Sequence, residues 1–194
     1  MASIPDGSSW VHDPELVEKL AEFDQAPFKG LVWRATGCSR DPMAFSYNGG
    51  RWAPPSSITS TPVLYTSFEK DGAIHEMASW MALLTPPPSK PIKVHSLRVT
   101  ARSVIKLALP HLALLGVDVQ QYEERNYAAM DEYPPSKSQE IGAALSFLGV
   151  DGLIVPSARF ACDNLVLFDN QTNQIEIEEV DAEVVNWMDF VGRG

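Results

Sequence analysis

Positive charge is scarce in this sequence of 194 residues. Lys and Arg number 15 against 25 Asp and Glu, which gives a formal net charge of −10 at pH 7. Nucleic-acid binding relies on clustered Lys and Arg that displace counterions, and adsorption to an anionic membrane surface relies on the same residues. We therefore predict no direct nucleic-acid binding and no membrane binding.

Long apolar runs are also missing. A membrane-spanning helix needs about 20 consecutive apolar residues, and the most apolar stretch, residues 104–119, is interrupted by Lys106, Pro110 and His111. The N-terminus has no basic region followed by an apolar run, so it lacks the pattern of a secretory signal. These absences predict a cytoplasmic protein.

Cysteine and histidine are too few, and too widely spaced, for common structural or catalytic sites. Cys38 and Cys162 cannot form a disulfide framework, and neither has the spacing of a metal site. His75-Glu76 begins like a zinc-protease motif, but Ser79 stands where the second histidine is needed. We predict no metal site. The sequence also lacks a Gly-x-Ser-x-Gly elbow, a Gly-rich phosphate loop and a dinucleotide fingerprint.

What is present predicts one α+β domain over residues 1–194. A chain of this length commonly forms a single domain, and its helical and strand patterns mix without regular βαβ alternation. The predicted helices cover residues 14–23, 71–84, 138–148 and 182–191. The predicted strands cover residues 31–36, 63–68, 92–100, 152–156, 164–169 and 174–179, with a turn at 170–173.

Two charged residues stand out against apolar surroundings. Arg34 lies in an apolar strand, where a buried guanidinium needs a partner. An exposed edge position or a structural ion pair would explain it equally well. Glu76 lies in the middle of a helix beside Trp80 and Leu83 on the helical wheel. It is either a surface residue or a carboxylate adapted for catalysis.

A predicted strand and a Gly-rich loop contribute further candidates. Tyr65 shares a strand face with Val63 and Ser67, and the opposite face is at least as apolar. We therefore expect the opposite face to be the core side and the Tyr65 ring to face a cleft. In Tyr47-Asn48-Gly49-Gly50-Arg51-Trp52, the glycine N–H groups could form an anion-binding nest beside Arg51. The same segment is also compatible with an ordinary Asn-Gly turn.

Taken in order, these segments resemble the RES domain, the toxin component of a class of bacterial toxin–antitoxin pairs named for an arginine, a glutamate and a serine. The residues that carry the resemblance span about 30–170 and are Trp33-Arg34, Gly49-Gly50-Arg51-Trp52, Leu64-Tyr65-Thr66-Ser67, Glu76, Gln139-Glu140-Ile141-Gly142, Val155-Pro156-Ser157 and Asn164-Leu165. Two features depart from the family pattern: Ala53 replaces the usual Asn after Trp52, and His75 precedes Glu76.

The resemblance implies a mixed sheet with flanking helices, similar to the ADP-ribosyltransferase fold, and an enzyme that degrades NAD. NAD is then the substrate, and no cofactor is expected. Such an enzyme cleaves the nicotinamide–ribose bond as a glycohydrolase or a phosphorylase, with water or inorganic phosphate as the acceptor. An Xre-type antitoxin is the expected partner, and activity without it is expected to arrest growth.

The candidate residues suit this chemistry on independent grounds. Cleavage of an N-glycosidic bond develops oxocarbenium charge on the ribose, which a carboxylate such as Glu76 stabilises. We predict catalytic roles for Glu76, Arg34 and Tyr65. The predicted NAD-binding residues are Tyr47, Gly49, Gly50, Arg51, Ser157 and Asn164.

Two other functions stay open. A protein-directed ADP-ribosyltransferase would use the same pocket with a different acceptor. A non-catalytic partner-binding module would keep Arg34 and Glu76 as a structural ion pair. The sequence has no motif that identifies the acceptor, the antitoxin or the oligomeric state.

Overall fold

In the part of the chain that the structure describes, a six-stranded mixed β-sheet organises the fold, and helices flank it. The computed structural model describes residues 10–120, 122, 134–170 and 174–191. In chain order the elements are α1 (Pro14–Ala21), β1 (Gln25–Gly37), β2 (Val63–Ser67), α2 (Lys70–Met81), β3 (Ile92–Lys106), α3 (Leu109–Leu114), α4 (Lys137–Phe147), β4 (Gly152–Pro156), β5 (Asp163–Phe168) and β6 (Glu176–Val185), followed by a 3-10 turn (Trp187–Phe190). The predicted α+β class is confirmed.

The strand order is β1-β2-β5-β4-β3-β6, and β1 also pairs with β3. Five strands therefore close into a ring, with β6 added outside β3. The pairing of β3 with β4 is parallel, whereas the other strand pairs are antiparallel. Closure brings β1 and β5, which are distant in sequence, to either side of the short strand β2.

Three apolar clusters hold these elements together. One packs α1, α3 and α4 against β2, β4 and β5, with Leu20, Leu112 and Ile141 fully buried. A second occupies the other face of the ring strands and includes Leu64 and Leu97. The third packs α2 and the 3-10 turn against β1 and β3. Burial of apolar surface on this scale is the main stabilising contribution to folding.

Several predicted boundaries are wrong, and the closing helix is the clearest case. Residues 182–185 continue β6 and pair antiparallel with β3, and the 3-10 turn Trp187–Phe190 follows. Pairing with β3 thus overrides a local pattern that fits a helix. Strand β1 begins earlier than predicted because Pro27 lies at a register shift, where a missing N–H is tolerated. Residues 171–173 of the predicted turn lie outside the described residues.

The expectation that one face of β2 forms the core is also wrong, because Val63 and Leu64 are both fully buried. They belong to different clusters on opposite faces of the strand. Within the described part of the chain, no helix combines the length and apolar character that crossing a membrane requires.

Candidate active site

A cavity of about 360 Å³ opens between α2 and one end of the sheet. Its volume lies within the range of small-molecule sites, about 300–1,000 Å³. Backbone pairing explains why distant segments meet there. Trp33 pairs with Ser67, Ser67 with Asn164, and Asn164 with Val155. This row places β1, β2, β5 and β4 side by side below α2.

Helix α2 brings Glu76 to the end of this row. A Cβ at Gly72 would lie 2.6 Å from Cys162 Sγ, so the absence of a side chain lets the helix approach the sheet closely. Glu76, one turn further along, is half-buried on the cavity wall. Trp80 and Leu83 line the same cavity, as the helical wheel predicts.

Two side chains fix the Glu76 carboxylate. Ser157 Oγ donates to Glu76 Oε1 at 2.7 Å, and Asn164 Nδ2 donates to the same oxygen at 2.9 Å. Ser157 Oγ also accepts from the backbone N–H groups of Arg159 and Phe160. Because both hydrogen bonds to Glu76 end on Oε1, Oε2 is left without a partner among the described residues.

Arg34 is a buried cation whose guanidinium is incompletely paired. It is 8% exposed and lines the cavity. Nη2 donates to the Ala44 carbonyl at 3.2 Å, whereas Nη1 has no hydrogen-bond partner among the residues that the structure describes. Burial and, to a smaller extent, the charge of Arg40 lower the pKa of Arg34 to about 10, with Asp41 acting in the opposite direction. A buried donor without a partner is costly, so this group is suited to an anionic ligand.

Residues 49–53, which we call the arginine loop, form another wall of the cavity. Gly49 has φ +77°, a left-handed conformation that favours glycine. The Gly50 N–H donates to the Ala53 carbonyl at 2.8 Å. That N–H is therefore committed to a turn, so Gly50 does not contribute it to the predicted anion nest. Arg51 lines the cavity and donates from Nη1 to the Tyr122 carbonyl.

The ring of Tyr65 lines the cavity, as predicted, but its hydroxyl also supports the arginine loop. Tyr65 Oη accepts from the Trp52 N–H at 3.0 Å. A Cβ at Gly50 would lie 2.6 Å from this hydroxyl, so glycine is required there. Close backbone approach thus explains one of the paired glycines better than anion binding does.

The cavity brings together most of the predicted site residues. Arg34, Gly49, Gly50, Arg51, Tyr65, Glu76 and Asn164 line it, and Ser157 reaches it through Glu76. Tyr47 is 53% exposed and is not part of the lining. Its position next to the Gly-rich loop in sequence does not bring its side chain into the site.

Four arginines stand around the cavity in a strongly acidic protein: Arg34, Arg40, Arg51 and Arg159. Among the lining residues that the structure describes, Glu76 is the only carboxylate. The charge around the cavity is therefore positive, whereas the net charge of the protein is negative. Such a site favours an anionic ligand, and the part of a ligand beside Glu76 would be electron-poor or positively charged.

Three lining residues, Arg40, Arg159 and Tyr122, were missed from the sequence. Arg40 lies in a loop of ordinary composition, and Tyr122 lies in a segment without a regular pattern. The Tyr122 ring lies under Arg51, with the guanidinium carbon 4.7 Å from the ring centroid, and its hydroxyl donates to the Pro156 carbonyl at 2.7 Å. No local pattern in the sequence indicates either contact.

Two further observations concern the metal-ligating and nucleophilic side chains around the site. Across the described ranges, no group of three or more His, Cys, Asp and Glu could hold a metal ion. Cys162 lies beside Ser67, with Sγ 3.2 Å from its hydroxyl. Burial raises the pKa of the Cys162 thiol, which disfavours the thiolate that a cysteine nucleophile requires.

Comparison with known proteins places this geometry in a family. A search of curated protein sequences finds no match. Among solved structures, the chain is similar to one described as the M. tuberculosis MbcT-MbcA toxin-antitoxin complex, with a TM-score of 0.72 and 19% identity over 92% of this chain and 96% of that chain. At this identity the likeness shows the shared fold. The family model described as RES domain matches residues 31–188, which include every segment that lines the cavity. The chain belongs to the RES domain family.

Proposed function

We propose that this protein degrades NAD by cleaving its nicotinamide–ribose bond, as an NAD glycohydrolase or phosphorylase. The observation that carries the proposal is the fixed carboxylate of Glu76 in a cavity whose other charged lining residues, as far as the structure describes them, are cations. Ser157 and Asn164 hold its Oε1 from one side. Arg34 contributes a buried donor, Nη1, that has no partner within the described ranges.

The chemistry follows from the charge that each step develops. When the C–N bond breaks, nicotinamide leaves with the bonding electron pair, and the ribose carbon becomes oxocarbenium-like. Glu76 stabilises that charge electrostatically, or accepts a hydrogen bond from the ribose 2′-hydroxyl at Oε2. An acceptor oxygen, from water or inorganic phosphate, then bonds to the same carbon; water loses a proton to solvent in this step.

The cations match the rest of the substrate. The NAD diphosphate carries two negative charges, and a guanidinium binds phosphate oxygens through a fork of donors. Arg34 and Arg51 supply such forks on the cavity wall. The Tyr65 ring provides a face on which nicotinamide can stack.

The non-catalytic alternative predicts an ion pair between Arg34 and Glu76. No described carboxylate lies within ion-pair distance of Arg34. Its Nη2 donates to the Ala44 carbonyl, and its Nη1 has no hydrogen-bond partner among the described residues. This arrangement leaves both charged groups available for a ligand. A protein-directed ADP-ribosyltransferase would use the same groups, so the acceptor distinguishes it.

We further propose that the protein acts as a toxin neutralised by an antitoxin. The fold that it shares with a chain of a toxin-antitoxin complex supports this role. Loss of NAD would arrest growth, and the partner would restrain the activity. Xre-type proteins are the class to test by co-expression. Expression of the chain alone should stop growth, and expression of Glu76→Gln should not.

Product analysis tests the activity itself. The protein is incubated with NAD, with and without inorganic phosphate, and the products are separated by chromatography. Free nicotinamide with ADP-ribose supports hydrolysis, and nicotinamide with ADP-ribose carrying a phosphate on the former glycosidic carbon supports phosphorolysis. Nicotinamide release accompanied by labelling of added protein would favour the transferase. No release in any arm would contradict the proposal.

A further inference from the structure

Gln139 is a buried polar residue that the proposed chemistry does not use. It lies in the first turn of α4 and is 2% exposed. A buried amide has two donors and an acceptor to satisfy, and an unmade bond is costly. The partners of Gln139 therefore indicate why an amide stands at this position.

One end of the Gln139 side chain caps its own helix. Oε1 accepts from the Ser136 N–H at 2.9 Å, and Ser136 Oγ accepts from the Gln139 N–H at 3.3 Å. This reciprocal pair is a capping box. A glutamate would make the same capping bond, so the box alone does not require glutamine.

The other end holds the arginine loop. Nε2 donates to the Gly50 carbonyl at 3.0 Å and to the Ala53 carbonyl at 3.4 Å. These two carbonyls flank Arg51 and Trp52. A carboxylate has no donor for them, which explains the amide.

Helix α4 also touches the loop directly. A Cβ at Gly142 would clash with the Trp52 carbonyl oxygen, so the helix backbone lies against the loop. On the opposite side, the Tyr65 hydroxyl accepts from the Trp52 N–H. The loop is therefore held between α4 and β2, with the Arg51 side chain in the cavity.

We propose that Gln139 is a positioning residue for dinucleotide binding, which holds the arginine loop so that Arg51 is aimed at the substrate phosphates. The proposal rests on the proposed function, because it assigns Gln139 to the binding of the same substrate. Gln139 touches no reacting atom, so its effect is expected on the KM for NAD more than on kcat.

Three variants separate positioning from helix stability. Gln139→Met keeps the approximate length but loses both the cap and the loop bonds. Gln139→Glu keeps the capping acceptor and loses the loop donor, and it replaces Gln139→Met if that variant does not fold. Ser136→Ala is the matched control, since it weakens the same capping box and leaves Nε2 of Gln139 in place.

The experiment has two readouts. In steady-state kinetics, Gln139→Met should raise the KM for NAD about tenfold or more, with kcat within about threefold of wild type. In hydrogen exchange, the Gly50 and Trp52 amides should exchange faster, because the loop opens locally. Ser136→Ala should lower the Tm without either change.

The outcomes are distinguishable. A KM in Gln139→Met no higher than in Ser136→Ala, or unchanged exchange at Gly50 and Trp52, overturns the positioning role. If wild-type protein releases no nicotinamide, the proposed function fails and the assignment to NAD fails with it. The exchange measurement then still decides whether Gln139 holds the loop.

Discussion

Ser157 Oγ lies 2.7 Å from Glu76 Oε1, and its only proton is directed at that carboxylate. The hydroxyl oxygen already accepts from the Arg159 and Phe160 N–H groups. A donor locked in this way orients the carboxylate before substrate arrives. Preorganised groups of this kind need no rearrangement when charge develops.

Replacement of Ser157 should therefore lower turnover. A hydrogen bond to a charged group contributes about 1.5–3 kcal/mol, so Ser157→Ala should reduce kcat for nicotinamide release by roughly 10-fold to 150-fold. Ser79→Ala is the control, since Ser79 also lines the cavity and makes no bond to Glu76. Equal kinetics for the two variants would exclude an orienting role for Ser157.

We expect Arg34 to strengthen the binding of an anionic ligand and to lower the stability of the ligand-free protein. A buried charge that is incompletely paired is costly to desolvate, so its replacement by an apolar side chain that fills the space should be stabilising. Arg34→Met should therefore raise the Tm and abolish NAD consumption. Thermal melts beside the nicotinamide assay check both effects, and a lower Tm would mean that the guanidinium holds the free fold together.

The stabilisation by Arg34→Met should depend on pH. The pKa of Arg34 is lowered to about 10 in the folded protein, so the penalty for its buried charge is fully present below that value. As pH rises through about 10, the folded state loses the proton before the unfolded state does, and the penalty is relieved. The stability difference between Arg34→Met and wild type should therefore be constant below about pH 10 and shrink as pH rises above it, as denaturant unfolding can measure. A constant difference would contradict burial as the cause.

Tyr65 combines a stacking face with a structural hydroxyl. Tyr65→Phe keeps the ring but leaves the Trp52 N–H without its acceptor, which should cost about 1–3 kcal/mol of stability. Tyr65→Ala also removes the ring, and loss of stacking should raise the KM for NAD by a further factor of roughly 5–150. Equal KM values in the two variants would show that the ring does not bind substrate.

The bounds of the helices and strands that carry the site were predicted from the sequence more accurately than the tertiary contacts between them. Strand β2, helix α2 and helix α4 were predicted to within one to three residues at each end, because apolar periodicity and capping residues mark them. Residues 182–185 were not, since their polar and apolar residues do not alternate as in a typical strand, they are only partly buried, and they form a strand through pairing with β3.

The contacts inside the site depend on tertiary structure that no local pattern encodes. Glu76, Ser157 and Asn164 were predicted as separate members of one site, but their convergence on a single oxygen follows from the pairing of β5 with both β2 and β4. Gln139 was visible only as part of a motif, because its loop contacts join segments distant in sequence. Tyr47 shows the reverse case, in which a sequence neighbour of the site lies outside it.

The most direct test of the central claim is the rate of nicotinamide release from NAD by wild-type protein and by Glu76→Gln. The amide keeps the shape of the carboxylate and cannot stabilise developing positive charge, so the rate should fall by about 10²–10³, with the Tm of the variant showing that it is folded. Release by the wild type, and its near-complete loss in folded Glu76→Gln, is the predicted result. Release at a near wild-type rate by Glu76→Gln, or no release by the wild type, would contradict it.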